Sequence, residues 1–481
     1  MIVIFFNTVY IIHHRKLEKR EIEMKRYVLF VCLLLSGLAG VYAQSIAPFQ
    51  KGDRIAFVGN SITCGGHYHS YIWLYYMTRF PDQRIDIFNE GVVGDVAEMI
   101  YQRLDKVFEH EPTVVTLSLG MNDVGYMDFR KPGADTIARN RVEKACRDYA
   151  LIEEVYKKYP EVRKILIGSS PYDETSRFNK VAFPGKNTPI LEIVDFLNAR
   201  ARENQWGFVD FNRPMVAINQ WEQAEDSMYT LCGKDRIHPS TDGHLVMAYL
   251  FLKAQGLAVA DIRIDGAGKK VTRSDNCRVS DLSVSSDNLT FTYEAKSLPY
   301  PIDTSYYDNE KHTQADALSV IPFMDEMNYE GLSVSGLSDG YYGLTIGGEF
   351  IGRFTARELE RGINMALLQN TPQYKQAMKI RQMNEERWLK ERKMREFYWV
   401  EYNLMRKTGM LWACNEAAVD TLRKYRPHDI FLQWNGDLWL QYMHKGIRED
   451  CVNEQQDLVN QIYEQNKPIP LRIEIKKFTD L

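Results

Sequence analysis

One serine and one acid–histidine pair are the residues of this chain whose types and spacing could perform nucleophilic chemistry. Ser61 follows the apolar run Ile55–Val58 through a tight Gly-Asn turn. Much further along, Asp235 precedes His238 by three positions on a loop that Pro239 ends. At this spacing a carboxylate can hold one ring nitrogen of the histidine while the other nitrogen faces a serine hydroxyl. The set predicts a serine hydrolase with Ser61 as nucleophile, His238 as general base and Asp235 as orienting acid.

Two further loops offer hydrogen-bond donors for the oxyanion of an acyl-transfer reaction. Gly94 can present its backbone N–H with no side chain in the way, and Asn122 offers a side-chain amide. Together with the backbone N–H of Ser61, these donors are predicted to form an oxyanion hole. A simpler interpretation stays open at this point, because a serine after a strand often does no more than cap the next helix.

The pattern of the chain between residues 51 and 256 predicts the scaffold that would position these residues. Strand-like runs cover residues 55–58, 85–88, 113–119, 164–168 and 208–211, and helical patterns such as 139–159 and 242–254 lie between them. Such alternation favours a parallel sheet with helices on both faces. Right-handed crossovers place the carboxyl ends of all its strands at one edge, where ligands bind. All the polar segments above are expected at that edge.

Four short blocks, taken in order, resemble the SGNH (GDSL-type) hydrolases. They are Gly59-Asn-Ser-Ile-Thr63, Gly91-Val-Val-Gly94, Gly120-Met-Asn-Asp123 and Asp235-Arg-Ile-His238. The resemblance covers roughly residues 50–257. It implies a flavodoxin-like five-stranded α/β sheet of order 2-1-3-4-5. It also implies ester hydrolysis without a cofactor or metal, with Ser61, Gly94, Asn122 and His238 as signature residues. Asn60 departs from the commonest first block, which has Asp, and the G-x-S-x-G elbow of α/β-hydrolases is absent.

Composition and the N-terminal segment set the broad class of this protein. A net charge of −4 over 481 residues, with no block of like charge, gives no footprint for nucleic acid. Residues 24–43 read as a signal peptide, too short for a membrane span, that ends at Ala43. Residues 1–23 then read as a mis-assigned start; the alternative is a signal anchor that uses residues 1–12. The mature chain is therefore predicted to be exported, periplasmic or extracellular, without a membrane span.

The predicted domains are a hydrolase domain over 45–258, a β-rich domain over 259–354 and a helical extension over 355–481. In the β-rich part a hairpin is expected at Gly347-Gly348. A capping box at 355–358 predicts a helix to about Leu368.

The rest of the C-terminal half reads as helices and aromatic residues. A long helix is expected from Thr371 to about Arg406, and its alternating charges are expected to face solvent. A third helix is expected over 414–425. The aromatic stretch that contains Trp434 and Trp439 is interpreted as packing, with a sugar-binding platform as the alternative.

Several other residues invite a chemical interpretation that a simpler one opposes. His67 and His69 could be two metal ligands, but the third ligand of a zinc site is missing, so surface or rim positions are expected. Cys64 and Cys232 are both expected near the catalytic edge. There they are either a disulfide or, as the alternative, two buried thiols.

The sequence therefore predicts an exported, metal-independent serine esterase that forms an acyl-enzyme. Its substrate is expected to be an acylated small molecule or polysaccharide, with removal of small acyl groups such as acetyl from a carbohydrate. The alternatives are a lipid or thioester hydrolase of the same family, and a carbohydrate-binding protein whose active site has lapsed. Charged residues in the loops 123–130 and 169–188 leave little apolar surface for a long acyl chain.

Overall fold

Strand β1 lies between two polar turns, and all its residues after Arg54 are buried. The computed structural model describes residues 46–178, 180–256, 260–305 and 312–478. In it β1 pairs in parallel with β2 on one side and with β3 on the other, and the sheet has the order β2-β1-β3-β4-β5. Its strands are β1 (Arg54–Gly59), β2 (Asp86–Gly91), β3 (Val114–Leu119), β4 (Arg163–Gly168) and β5 (Gly207–Asp210). The predicted doubly wound sheet and its strand order are confirmed.

Helices cover both faces of this sheet. They are α1 (Ser61–Cys64), α2 (Tyr68–Arg79), α3 (Ala97–Tyr101), α4 (Leu104–Phe108), α5 (Ala134–Lys157), α6 (Asn187–Asn204), α7 (Asn212–Glu222) and α8 (Thr241–Gln255). Helix α8 begins after Ser240 and ends at Gly256, which adopts the left-handed conformation (φ 64°) that favours glycine. The helix agrees to within one residue at each end with the helical pattern predicted over 242–254.

A β-sandwich follows the hydrolase sheet. One sheet has the order β13-β10-β6-β7 and the other β12-β11-β14-β9-β8. Their strands are β6 (Ala260–Asp265), β7 (Lys270–Asp275), β8 (Cys277–Val284), β9 (Asn288–Ala295), β10 (Glu330–Ser335), β11 (Tyr341–Ile346), β12 (Glu349–Thr355), β13 (Ile363–Asn364) and β14 (Leu471–Lys477). Apolar residues of both sheets share one core, among them Ile262, Phe291 and Ile473. The predicted hairpin at Gly347-Gly348 joins β11 to β12.

Strand β14 comes from the end of the chain and lies between β11 and β9. The β-rich part therefore includes a strand that lies within the predicted helical extension 355–481. The predicted domain boundaries stay a prediction. The predicted signal peptide and start site fall in residues 1–45, outside the described residues.

The remaining helices pack beside the hydrolase sheet and the sandwich. They are α9 (Phe323–Glu326), α10 (Ala356–Arg361), α11 (Pro372–Val400), α12 (Glu416–Tyr425), α13 (Ile430–Tyr442) and α14 (Lys445–Gln465), and a π-helical turn, Glu401–Met405, extends α11. The capping box at Thr355 is present, but α10 ends at Arg361 and not at Leu368. Its end follows from Gly362, whose φ of 94° leaves the helical region, and from the pairing of β13 with β10.

Candidate active site

Ser61 is the first residue of the short helix α1, directly after the carboxyl end of β1. The helix is capped by Asn60, whose side-chain oxygen accepts from the Ile62 N–H at 3.0 Å. Ser61 itself is therefore not the cap. Asn60 performs the capping that an aspartate would perform, since both side chains present an oxygen to the helix N-terminus. The departure of Asn60 from the commonest first block is thus explained by an interaction that either residue can make.

The structure brings the three residues of the predicted triad together. His238 Nε2 lies 2.8 Å from Ser61 Oγ, and His238 Nδ1 lies 2.5 Å from Asp235 Oδ2. About half of each of the Asp235 and His238 side chains is exposed, and Ser61 is half-buried. This is the connectivity of nucleophile, base and orienting acid, open to an incoming substrate.

Local backbone hydrogen bonds hold Asp235 in its ionised form. Asp235 Oδ1 accepts the N–H groups of Ile237 and His238, both at 2.9 Å. Burial opposes ionisation of Asp235, but the hydrogen bond and charge of His238, with these two N–H groups, lower the pKa of Asp235 below its usual value. An ionised Asp235 can stabilise the imidazolium that forms when His238 takes a proton.

Arg236 anchors this loop, although the sequence pattern assigns it no role. Its φ of 69° is in the left-handed region, which is unfavourable for a residue with a Cβ. The guanidinium is buried and donates to the carbonyls of Asp173 (3.0 Å) and Ser176 (2.9 Å). The Arg236 carbonyl in turn accepts the Asp173 N–H at 3.0 Å. These contacts hold the turn that places Asp235 and His238.

The predicted oxyanion donors lie on three loops that hydrogen bonds tie together. The Val92 N–H donates to the Gly59 carbonyl at 3.1 Å, which joins the second block to the nucleophile turn. Asn122 Nδ2 donates to the Asp95 carbonyl at 3.0 Å, which joins the third block to the second. Ser61, Gly94 and Asn122 therefore belong to one connected set of loops, here called the catalytic edge together with Asp235 and His238.

Each proposed donor has an N–H to offer. In the described part of the chain, no backbone carbonyl accepts the backbone N–H of Ser61 or of Gly94. The space beside Gly94 is open, and its φ of 84° suits glycine. An amide nitrogen carries two hydrogens, so Asn122 keeps one after its bond to Asp95. Asp123 accepts the N–H of Gly120 in its own turn and that of Ala97 in the loop after Gly94, both at 2.8 Å.

A cluster of buried charges lies under the catalytic edge, and the long helix α11 supplies part of it. We call it the ionic seam; it consists of Glu90, Asp95, Arg103, Glu391 and Arg395. Glu90 Oε2 lies 3.1 Å from Arg395 and 3.5 Å from Arg103, and Arg103 Nε lies 2.7 Å from Asp95. Glu391 accepts the Asn89 N–H at 2.8 Å. The prediction that the charges of this helix face solvent is wrong for Glu391 and Arg395, because they are buried against Asn89 and Glu90 of β2.

Two buried carboxylates of the seam, Glu90 and Asp95, differ in how many positive charges lie close to them. Burial opposes ionisation of Glu90, but Arg395, His110 and Arg103 outweigh it and lower the pKa of Glu90 to about 2. Asp95 has one close arginine, so burial raises its pKa to about 6 against the opposing effect of Arg103. The Arg103 guanidinium also donates to the carbonyls of Glu90 (2.8 Å) and Gly59 (3.3 Å). Arg103 therefore connects the nucleophile turn to the loop of Gly94.

His67 and His69 are packing residues. His67 stacks on Trp388 with ring centroids 3.8 Å apart, and His69 is buried with a hydrogen bond to the Thr63 carbonyl at 3.1 Å. Their predicted surface or rim positions are wrong, because α11 covers them. Within the described residues, no group of three or more His, Cys, Asp or Glu side chains could hold a metal ion. No described helix is both long and apolar enough to cross a bilayer.

Burial also decides between the alternative interpretations of Cys64 and Cys232 and of Trp439. Cys64 and Cys232 are both buried free thiols, so the disulfide hypothesis is wrong and its alternative holds. Trp439 is fully buried and donates to Glu401 at 2.8 Å, which leaves it no face for a sugar. Trp434 is 66% exposed and packs edge-on against Phe431.

Two family descriptions match this chain. The GDSL-like lipase/acylhydrolase family matches residues 57–246, which contain the sheet and the whole catalytic edge. The diltiazem deacetylase C-terminal helical domain matches residues 378–467, which run from α11 to the end of α14.

Two known proteins are similar to it over different lengths. The solved structure of a gut microbial diltiazem-metabolizing enzyme is 41% identical, with a TM-score of 0.88. That match covers 91% of this chain and 100% of the other. An acetylxylan esterase of Geobacillus stearothermophilus is 23% identical over 226 residues, 43% of this chain and 95% of that esterase.

The chain therefore belongs to the GDSL-like (SGNH) hydrolase family, and it carries an additional β-rich region and a C-terminal helical domain. It is a carboxylic ester hydrolase.

Proposed function

We propose that this protein is a serine esterase that removes acetyl and similarly small acyl groups through an acyl-enzyme. The observation that carries the proposal is the unbroken chain of short contacts from Ser61 through His238 to Asp235. An intact triad, with an N–H left to offer on each oxyanion donor, also argues against a lapsed, purely carbohydrate-binding protein.

The reaction follows from the geometry of the catalytic edge. Ser61 Oγ attacks the ester carbonyl while His238 Nε2 takes its proton. The N–H groups of Ser61, Gly94 and Asn122 bind the oxyanion of the tetrahedral intermediate. As the intermediate collapses, the C–O bond to the alcohol breaks and His238 gives its proton to the departing oxygen. Water then attacks the acyl carbonyl while His238 takes its proton. The acyl–Oγ bond breaks, His238 returns the proton to Ser61 Oγ, and the carboxylic acid leaves.

Charged loops around the oxyanion site favour a short acyl chain. The loop after Asn122 carries Asp128 and Arg130, and Asp128 is paired with Arg141. Extra methylenes would bury little apolar surface there, so each should gain far less than the ~0.8 kcal/mol of full burial. We expect kcat/KM for p-nitrophenyl esters to fall from acetate to octanoate. A profile that rises toward octanoate would support the lipid-hydrolase alternative and contradict the proposal.

The proposed acceptor is a carbohydrate, and a second candidate is a compact aromatic acetate. Similarity of the hydrolase domain to an acetylxylan esterase supports the carbohydrate. Similarity of nearly the whole chain to a diltiazem-metabolizing enzyme, and the matching C-terminal domain, support the second candidate. Release of acetate from acetylated xylo-oligosaccharides and from diltiazem, measured side by side, tests which acceptor gives the higher kcat/KM.

The variant Ser61→Ala tests the mechanism. The hydroxyl is half-buried at a helix start and its removal leaves no cavity, so the variant should fold as the wild type does. Its hydrolysis of p-nitrophenyl acetate should fall to background. Wild-type turnover by a folded Ser61→Ala protein would overturn the proposed mechanism.

We also propose that the enzyme is exported to the periplasm or the cell exterior. Residues 24–43 support this because they combine basic residues, an apolar run and a small residue at the end. N-terminal sequencing of protein purified from the native host should begin at Gln44. A mature protein that retains residues 24–43 would contradict export by cleavage.

A further inference from the structure

Lys186 is a fully buried lysine directly behind the loop that carries Asn122. Its Nζ donates to the carbonyls of Met121 at 2.7 Å and Gly125 at 2.5 Å. These two carbonyls lie on either side of Asn122 in the chain, so one ammonium holds both ends of the loop. Lys186 itself comes from a different segment, just before helix α6.

Tyr126 connects this lysine to the Asn122 amide. Lys186 Nζ lies 3.7 Å from the centroid of the Tyr126 ring, a distance that gives a cation–π contact. The Tyr126 hydroxyl donates to Asn122 Oδ1 at 2.5 Å. Burial, with the nearby Asp235 and Asp123, raises the pKa of Tyr126, so its hydroxyl stays protonated and remains a donor.

These contacts fix the direction of the Asn122 amide. Its oxygen accepts from Tyr126 while its nitrogen donates to the Asp95 carbonyl at 3.0 Å. A flipped amide would place its oxygen against the Asp95 carbonyl, lose that hydrogen bond and leave the Tyr126 O–H without its acceptor. The remaining N–H of Asn122 therefore has one direction.

Burial of an ammonium group costs solvation free energy, so a buried lysine is expected only where it makes specific contacts. Burial lowers the pKa of Lys186 to about 7; Asp123 partly offsets this and Arg141 adds to it. A methionine would fill a similar volume without desolvating a charge. The position of the ammonium, on two carbonyls and one aromatic ring around Asn122, indicates what the charge is for.

We propose that Lys186 and Tyr126 are positioning residues for the oxyanion donor Asn122. Lys186 clamps the loop and the Tyr126 ring, and Tyr126 aims the amide N–H at the acyl oxygen. The inference rests on the proposed function, in which Asn122 binds the oxyanion. The donor is used in the transition state, so its loss should lower kcat and leave KM nearly unchanged.

The experiment measures kcat and KM with p-nitrophenyl acetate for Lys186→Met, Tyr126→Phe, Asn122→Ala and the double variant Asn122→Ala/Lys186→Met. Asn122→Ala should lower kcat about 10²-fold or more, as the loss of one oxyanion donor does. Lys186→Met should lower kcat by about 10- to 100-fold through misplacement of the donor, with KM within about twofold. The double variant should be no slower than Asn122→Ala, since Lys186 acts through Asn122.

Lys164 provides a matched control for the loss of a buried lysine. It is also buried and donates to a backbone carbonyl, that of Tyr159. However, it lies near the amino end of β4, whereas the catalytic edge lies at the carboxyl ends of the strands. Lys164→Met should therefore keep the wild-type kcat.

Three outcomes would overturn the inference. They are a wild-type kcat in Lys186→Met, equal losses in Lys164→Met and Lys186→Met, or a double variant whose loss is the product of the two single losses. If Lys186→Met does not fold, Tyr126→Phe decides, because it removes one hydroxyl and keeps the ring; an unchanged kcat would then overturn the inference. Failure of the proposed function itself is distinguishable, because Ser61→Ala would then retain activity.

Discussion

The catalytic edge and the ionic seam are both built from charged and polar residues, but they occupy opposite environments. In the catalytic edge, Asp235 and His238 are about half exposed and three residues apart. In the seam, Glu90 and Arg395 are almost fully buried and come from segments that are far apart in the chain. The edge can therefore meet a substrate, whereas the seam meets only protein.

This difference in exposure determines whether a substitution in each region affects mainly the reaction or mainly the stability of the fold. A half-exposed carboxylate keeps much of its hydration, so a change at the edge alters the reaction more than the fold. A buried charge loses its hydration and is tolerated only with its partners in place, so a change in the seam alters the fold first. The seam is also where the helical domain and the hydrolase domain touch, directly behind Gly94.

The largest expected effect is on the edge. Asp235→Asn should lower kcat about 10⁴-fold, because an amide stabilises the wrong tautomer of His238 and cannot compensate its charge. The temperature of unfolding should stay within about 2 °C of the wild-type value, since the side chain is half exposed. Ester kinetics together with thermal unfolding check both parts. A variant that unfolds much earlier than the wild type would break the comparison.

The next effect is in the seam. Glu90→Gln leaves Arg395 buried without its closest carboxylate and should lower the free energy of unfolding by about 3–5 kcal/mol. The control Glu98→Gln alters an exposed pair with Lys144 and should change it by less than about 0.5 kcal/mol. Chemical denaturation measures both. Equal, small losses in the two variants would show that the seam does not stabilise the fold.

Gly91 and Gly94, both in the second block, extend the comparison, because an added Cβ would meet a close contact at one and open space at the other. A Cβ on Gly91 would lie 2.2 Å from the Cys64 nitrogen, so Gly91→Ala should overpack the contact between β2 and α1 and cost about 1–3 kcal/mol. Gly94 has open space around it, so Gly94→Ala should cost about 1 kcal/mol for its φ of 84° alone. Unfolding by denaturant ranks the two. A larger loss in Gly94→Ala would contradict this account.

The smallest effect is a dependence of stability on pH next to the seam. Burial lowers the pKa of His69 to about 4, against a partial opposing effect of Glu391. The unfolded state binds a proton to this ring below its usual pKa of ~6.5, and the folded state does not until about 4. The stability from neutral His69 is therefore fully present above pH ~6.5 and is lost as the pH falls through about 4.

His69→Gln keeps a hydrogen-bond donor for the Thr63 carbonyl and removes the titration. The free energy of unfolding of this variant should decline less steeply than that of the wild type between pH 7 and 4, as measured by denaturant titrations at each pH. Parallel curves for the two proteins would show that His69 titrates alike in the folded and unfolded states.

The sequence by itself predicted which reactive residues lie directly after the strand ends. The Asp235–His238 pair, the strands of the sheet and the ends of helix α8 depend on short spacings, on apolar runs and on residues such as Ser240 and Gly256 with a local conformational role. The order of the strands was implied by the resemblance of the four blocks to the SGNH hydrolases. Local spacing is sufficient there, because a parallel sheet brings successive strand ends to one edge whatever packs behind them.

The tertiary structure decided which charges are buried. The alternating charges of α11 read as a solvated face, and no local pattern marks Glu391 and Arg395 as partners of Asn89 and Glu90 on β2. Lys186 and Arg236 look like ordinary loop residues for the same reason. Burial of a charge depends on what packs against it, and those partners come from distant parts of the chain. Spacing along the sequence therefore placed the groups that react, and only the fold showed which charges hold them in place.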